Sequence, residues 1–193
     1  NDYLLSRSQQ STENRVCLAT KQLHGRGRRG QSWLSNASDI SFSVLWNTDI
    51  PLNALSGTGL VVALMTVNAL NSCFPDTPFS VKWPNDVFYQ NKKIGGILIE
   101  TTRNRTKTAV VIGIGINISD DAKKQKLPNP YACLDDVVSN KIDTNSIIFA
   151  IINQLKIGLS QFSEQGLSVF IDKWKQYDQT INQSINLIIN RQQ

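Results

Sequence analysis

A glycine- and arginine-rich segment between two strand-like segments is the feature that most restricts how this chain can fold. Residues 21–33 read Lys-Gln-Leu-His-Gly-Arg-Gly-Arg-Arg-Gly-Gln-Ser-Trp. Glycine lets a backbone approach a ligand closely, successive amide groups can cradle an anion, and arginine supplies a fork of donors. Because strand-like residues 16–20 and 40–46 enclose the segment, we predict an ordered loop around an anionic small molecule. Contact with RNA is the alternative, because Arg/Gly runs also occur in RNA-binding segments.

The remaining pattern predicts a single sheet with helices packed against it. The uniformly apolar segment 108–118 is typical of a central strand. Strands separated by turn residues and followed by helical patterns predict an α/β or α+β domain. Further strands are expected at 79–83, 87–89 and 94–101, and helices at about 53–74, 144–163 and 167–177.

Composition narrows the class of ligand. A chain of 193 residues suits one domain. The formal net charge is +5, and four positive side chains lie in the glycine–arginine loop at Lys21, Arg26, Arg28 and Arg29. This concentration favours a site for an anionic ligand over a broad nucleic-acid surface. No apolar run approaches the length of a membrane span, so no membrane contact is expected.

Cysteine and histidine usage excludes several kinds of site. The three cysteines are far apart, no Cys-x-x-Cys occurs, and His24 is the single histidine. Neither a zinc site nor a Ser-His-Asp enzyme is expected, and no residue is predicted to be a metal ligand. Free thiols predict a reducing, cytoplasmic location. His24 is expected to be an exposed loop residue.

Two later motifs give the chain a family resemblance. Residues 82–86 read Lys-Trp-Pro-Asn-Asp, and residues 113–117 read Gly-Ile-Gly-Ile-Asn. With Gly-Arg-Gly-Arg-Arg-Gly at 25–30, in this order, the chain resembles the biotin protein ligase family, which includes biotin–[acetyl-CoA-carboxylase] ligases. The resemblance implies an α+β catalytic domain at 1–182, with a mixed β-sheet flanked by helices as in class II aminoacyl-tRNA synthetases. It implies that residues 183–193 form the first strand of a truncated C-terminal SH3-like domain.

The resemblance also implies a two-step reaction. Biotin carboxylate attacks the α-phosphate of ATP to give biotinyl-5′-AMP and pyrophosphate, with Mg²⁺ accompanying the nucleotide. The ε-amine of a lysine on the biotin carboxyl carrier protein then takes the biotinyl group and releases AMP. Positive groups and N–H donors must bring two anions together and hold the charge that develops at phosphorus.

Site residues follow from the matching motifs. Arg28 is expected to clamp the phosphate, and Lys82 to contact the reacting carboxyl–phosphate region. For Arg28 and Lys82 the alternative is an exposed charge on the surface. For Trp33 the alternative is a position in the core. Trp83 is expected in the core. The implied biotin contacts are Asn1, Gln22, Gly25, Arg26, Gly27, Arg28, Lys82, Gly113 and Gly115, and the implied ATP contacts are Arg29, Trp33 and Asn117.

The chain departs from the family pattern in three places. Gln31 stands where the family usually has arginine, which predicts weaker nucleotide binding. The Ser-Thr that usually precedes Asn1 is missing, as are a preceding helix-turn-helix and most of a C-terminal barrel, so no DNA-binding role is expected. The resemblance further implies that the chain can form a homodimer through the edge of the sheet.

Three other hypotheses are weighed against a biotin ligase. A lipoate–protein ligase shares the fold and the adenylation chemistry. A non-catalytic module could use residues 21–30 to bind RNA, which predicts salt-sensitive binding and no affinity for biotin. A truncated, inactive relative could still bind biotin.

Overall fold

One antiparallel sheet organises the computed structural model, which describes residues 1–10, 12–104, 107–120, 129–139 and 141–184. All neighbouring strands pair antiparallel in the order β1-β2-β6-β5-β4-β3, so β6 is central, as predicted. Parallel contacts are the isolated bridges Val81–Asp178 and Lys93–Tyr131. The strands described are β1 (Arg15–Leu18), β2 (Ile40–Thr48), β3 (Phe79–Lys82), β4 (Asp86–Tyr89), β5 (Lys92–Asn104) and β6 (Lys107–Ile116).

Helices flank this sheet, which confirms the predicted α+β class. They are α1 (Asp2–Arg7), α2 (Thr58–Cys73), α3 (Leu134–Val137), α4 (Thr144–Gln165) and α5 (Ile171–Tyr177).

Two helix boundaries differ from the prediction. The helix expected from residue 53 begins at Thr58, because Gly57 has φ +91° and Leu52–Ala54 forms a separate 3₁₀ turn. The helix expected over 167–177 is divided into a 3₁₀ turn, Ser168–Phe170, and α5. Glycine adopts positive φ without the penalty that a Cβ brings, so it suits the break before α2.

The two faces of the sheet have different covers. Side chains alternate along a strand, and in β6 Ile112, Ile114 and Ile116 join the large core beneath α2 and α4. On the opposite face, Val111 packs with Leu4 of α1 in a small cluster. The glycines of β6 lie on this second face, where Asn1 lies against Gly113 and Trp33 of the loop at 21–33 lies against Gly115. The face without the long helices therefore carries the candidate site.

Some expectations concern residues outside the described part of the chain. The strand expected near 185–189, and with it almost all of the second domain at 183–193, lies there, so that domain stays a prediction. Most of the expected loop at 120–130 lies there too. In the described ranges, every helix is too short or too polar to cross a bilayer.

Candidate functional site

The glycine–arginine loop, residues 21–33, is an ordered hairpin. The Gly27 amide donates to the carbonyl of Gln31 at 2.6 Å, and the Trp33 amide donates to the carbonyl of Gly25 at 2.9 Å. A side chain at Gly25 would collide with the backbone of Trp33. At the turn, Arg29 has φ +54° and Gly30 has φ +73°. An arginine in this left-handed region is uncommon and strained, which is typical of functional loops.

A row of residues across the sheet passes beneath this loop. Lys82, Asp86, Gly96, Gly115 and Ser41 are register partners from β3 to β2. The indole of Trp33 lies on this row. A Cβ on Gly115 would be 2.7 Å from Trp33 Cε2, and one on Gly96 would be 3.3 Å from Trp33 Cζ3. These two glycines therefore make room for the tryptophan.

Gly113 has a different neighbour. A Cβ there would lie 2.5 Å from Asn1 Oδ1. The sequence interpretation gave Gly113 and Gly115 to the flat body of biotin. In the structure the groups that approach these glycines closely are the side chains of Asn1 and Trp33, two residues that were themselves predicted at the site.

A small polar pocket lies beside Trp33. It has a volume of about 70 Å³ and includes five predicted biotin contacts in its lining. The amide oxygen of Gln22 accepts hydrogen bonds from Ser35 Oγ and Ser41 Oγ, each at 3.2 Å. His24 also lines the pocket and is exposed, as expected. The five predicted residues in this lining are Asn1, Gln22, Arg26, Gly113 and Gly115.

A larger, arginine-lined cleft adjoins the pocket. Its volume is about 350 Å³, and it shares Arg26, Trp33 and Leu98 with the pocket. Arg28 donates from Nη1 to Asn85 Oδ1 at 3.1 Å, which connects the loop to the Lys-Trp-Pro-Asn-Asp turn. The predicted residues in its lining are Arg26, Gly27, Arg28, Arg29 and Trp33.

Trp83 was predicted in the core, and that prediction was wrong. Its side chain is 66% exposed and lines the larger cleft. The residue follows the last position of β3, at the tip of a turn, where a side chain is not required to face the core. An exposed tryptophan on a cleft is a common feature of binding surfaces.

Two carboxylates neutralise Arg26. Its Nη2 contacts Asp2 and lies 3.2 Å from Glu100 Oε1. The attraction of Glu100, followed by that of Asp2, raises the pKa of the guanidinium further above its usual range. Arg26 is therefore less available to a ligand anion than Arg28, whose described hydrogen bond is to a neutral amide.

Lys93 is a positively charged residue that lines the cleft and that none of the three sequence motifs includes. Its ammonium lies 2.7 Å from Asp86 Oδ1 and 5.5 Å from the centroid of the Trp33 ring. The lysine thus holds one side of the indole by a cation–π contact. Trp33 Nε1 is buried against Gly115 and has no hydrogen-bond partner among the described residues, which is uncommon for a buried donor.

Three predicted residues line neither cavity within the described structure. Gly25 acts through the hairpin backbone. Lys82 Nζ lies 5.2 Å from the centroid of the Phe88 ring, although its backbone begins the row beneath Trp33. Asn117 is buried and donates from Nδ2 to the carbonyl of Ala132 at 3.2 Å. The roles of Lys82 and Asn117 therefore stay predictions.

The fold and site define a class of protein. The sequence profile of the Biotin/lipoate A/B protein ligase family matches residues 1–117, and the chain belongs to this family. The structure resembles that of the biotin protein ligase from Aquifex aeolicus in complex with biotin and ATP, with TM-score 0.75 and 29% identity. This match covers 84% of this chain and 68% of that one.

Curated relatives point to the biotin branch of the family. The Bifunctional ligase/repressor BirA of Escherichia coli (strain K12) is 32% identical over 98% of this chain, which spans 59% of the length of that relative. The Biotin--[acetyl-CoA-carboxylase] ligase of Paracoccus denitrificans is 35% identical over 104 residues, 53% of this chain and 43% of that protein.

Proposed function

We propose that this chain activates biotin with ATP as biotinyl-5′-AMP and transfers the biotinyl group to a lysine of a carrier protein. One observation carries the proposal: a small polar pocket and a larger arginine-lined cleft meet at Arg26, Trp33 and Leu98. A carboxylic acid in the pocket and a triphosphate in the cleft would have their reacting ends together at this junction. Such placement replaces a costly encounter of two anions by a prearranged one.

The pocket would take the ring end of biotin. Gln22 and Ser43 line it with amide and hydroxyl groups that suit a ureido ring, and Ser41 Oγ donates to Gln22. At about 70 Å³ it is smaller than typical ligand pockets of about 300–1,000 Å³. Biotin binding therefore requires Trp33 to move off Gly115, or the loop at 21–33 to shift with it.

The larger cleft would take magnesium–ATP. Arg28 and Arg29 supply positive charge, and the loop amides supply further donors for phosphate oxygens. Among the described residues no three His, Cys, Asp or Glu side chains gather into a metal site. We propose that Mg²⁺ arrives on the phosphates with few protein ligands, as is usual for this ion. Charge at the α-phosphorus would be held by Arg28.

Lys82 would complete the junction by changing its rotamer. Its ammonium now lies over Phe88, while its backbone stands opposite Asp86 in the row that passes beneath Trp33. A turn of this exposed side chain along the row would bring the charge toward the carboxyl–phosphate region. Asn117 would act on the nucleotide only if its contact with Ala132 changes.

We propose the biotin carboxyl carrier protein of acetyl-CoA carboxylase as the acceptor. The Paracoccus denitrificans relative is named a Biotin--[acetyl-CoA-carboxylase] ligase, which supports this choice. The ε-amine would attack the acyl carbonyl, the acyl–phosphate bond would break, and AMP and a proton would leave. Cytoplasmic location, homodimer formation and the lack of a DNA-binding role stay predictions.

Calorimetry tests the proposal at its first step. Biotin is titrated into the chain with and without magnesium–ATP, and lipoate is titrated as the competing substrate of the same family. We expect binding of biotin, no comparable binding of lipoate, and stronger retention of biotin when ATP is present. Arg28→Ala should remove the effect of ATP, whereas Arg15→Ala, an exposed arginine on β1 paired with Glu13, should not. Binding of lipoate in preference to biotin would overturn the assignment.

A further inference from the structure

Glu100, a carboxylate outside both cavities, connects two residues of the small pocket. It lies on β5, and its side chain is 25% exposed. Asn1 Nδ2 donates to its Oε2 at 2.8 Å, and Arg26 Nη2 lies 3.2 Å from its Oε1. One carboxylate therefore holds the start of α1 and the loop at 21–33 at the same time.

The contact with Glu100 determines which way the Asn1 amide faces. Asn1 Oδ1 accepts from Ser43 Oγ at 2.7 Å, and Asn1 Nδ2 donates to the Leu98 carbonyl at 3.2 Å as well as to Glu100. A carboxylate accepts hydrogen bonds and donates none, so only the –NH₂ group of the amide can face it. In this orientation the amide oxygen faces Ser43 and lies against Gly113.

The contact of Glu100 with Arg26 is better protected from solvent than that of Asp2. The Asp2 side chain is 77% exposed, against 25% for Glu100. Solvent weakens exposed ion pairs, so the more buried partner holds the guanidinium more firmly. Arg26 lies on the boundary between the pocket and the cleft, whereas Asn1 lines the pocket alone, so loss of both contacts acts first on the pocket.

We propose that Glu100 is a positioning residue for biotin, which holds Asn1 and Arg26 in place without touching the ligand. The inference rests on the proposed function. Because its partners form one wall of the small pocket, loss of the carboxylate should weaken biotin binding more than ATP binding. A residue that only supports the fold would weaken both together.

Three variants of the full chain separate these cases. Glu100→Ala removes both contacts, Glu100→Gln keeps an acceptor oxygen for Asn1 but loses the charge, and Asp49→Asn is the control. Asp49 follows the last residue of β2 and pairs with Lys107 at 3.1 Å, at the end of β2 and β6 opposite to Ser41 and Gly115. From the usual strength of charge-assisted hydrogen bonds, Glu100→Ala should raise the Kd and KM for biotin about tenfold or more, with a smaller rise for Glu100→Gln. The KM for ATP should change by less than about twofold, the scatter expected of contacts that are not removed.

Hydrogen exchange in the ligand-free protein gives a readout that is independent of catalysis. Amides of residues 21–33 should exchange faster in Glu100→Ala than in the unsubstituted chain, and at an unchanged rate in Asp49→Asn. Unchanged exchange, or equal weakening of biotin and ATP, would overturn the inference. If the unsubstituted chain binds no biotin, the proposed function fails. If it binds biotin and Glu100→Ala binds equally well, only the positioning role fails.

Discussion

The indole of Trp33 lies so close to Gly115 that a single methyl group at Gly115 would meet it: a Cβ there would be 2.7 Å from Cε2. The contact joins the glycine–arginine loop to the central strand, and it lies where the two cavities meet.

We expect Gly115→Ala to push Trp33 off the sheet and to destabilise the protein. Overpacking of this kind usually costs about 1–3 kcal/mol. The added methyl group would also occupy space in the small pocket that biotin needs once Trp33 has moved, so the affinity for biotin should fall with the stability. Thermal unfolding followed by biotin titration measures both. An alanine variant with unchanged stability and unchanged affinity would show that the contact with Trp33 has no consequence.

Gly59→Ala is also a glycine-to-alanine substitution, but it should raise the stability of the protein where Gly115→Ala lowers it. A Cβ at Gly59 would be 3.6 Å from the Pro84 carbonyl oxygen, an ordinary van der Waals distance, and Gly59 lies in the first turn of α2. Alanine restricts the unfolded chain and favours a helix, so this variant should gain about 0.4–1 kcal/mol in the free energy of unfolding. Chemical denaturation measures the change, and a loss of stability would contradict the packing described here.

Arg28→Ala should reduce adenylate formation without unfolding the protein. Arg28 is exposed, and the one described hydrogen bond of its side chain is to Asn85 Oδ1 at 3.1 Å. If it holds charge that develops at phosphorus, its loss should lower kcat by about 10²-fold or more, as removal of one such donor usually does. Single-turnover assays of adenylate formation measure this, with Arg15→Ala as control. A normal kcat with a raised KM for ATP would show that Arg28 binds ATP but does not stabilise the transition state.

Asp143 caps α4, and its contribution should depend on pH. Its carboxylate accepts from Ser146 Oγ at 2.7 Å and from the Asn145 amide at 3.1 Å, and these hydrogen bonds, with that of Ser146 first, lower its pKa. A lowered pKa in the folded state stabilises the protein above the ordinary aspartate pKa of about 3.9, and that stabilisation is lost as pH falls through the folded value.

Asp143→Ala should therefore lower Tm at neutral pH, with a difference from the unsubstituted chain that narrows below about pH 4. Asp143→Asn keeps a capping oxygen and should retain most of the stability at neutral pH, since both residues are good caps. Calorimetric scans across this pH range measure the two differences. A pH-independent difference for Asp143→Ala would show that the charge of the cap does not matter.

Local patterns in the sequence were sufficient to predict most of the fold. The apolar residues 108–118 predicted β6 and its central place, because a strand covered on both faces needs apolar side chains throughout. The start of α2 was predicted too early, because apolar spacing around Leu55 continues through a 3₁₀ turn that Gly57 separates from the helix. Hydrophobic periodicity alone does not reveal such a break in a helix.

The site was less accessible to prediction, because its contacts are long-range. The motifs identified the loop and the glycines, but they did not reveal that Asn1 and Trp33 pack on those glycines. Glu100 and Lys93 resemble ordinary surface charges in an alternating strand, and only the pairing of β5 with its neighbours places them beside the loop. Sheet register could have indicated Lys93, because Gly96 stands opposite Asp86, the carboxylate that pairs with Lys93.

If the two cavities hold a biotin carboxylate against the α-phosphate of ATP, the chain should form the adenylate by itself. The most direct measurement incubates the chain with biotin and magnesium–ATP and identifies the products by mass spectrometry, with lipoate in a parallel reaction. We expect biotinyl-5′-AMP and pyrophosphate. No adenylate should form without ATP, and lipoate should not form one at a similar rate. Biotin that binds but never forms an adenylate would contradict this expectation and leave a binding domain without the activation step.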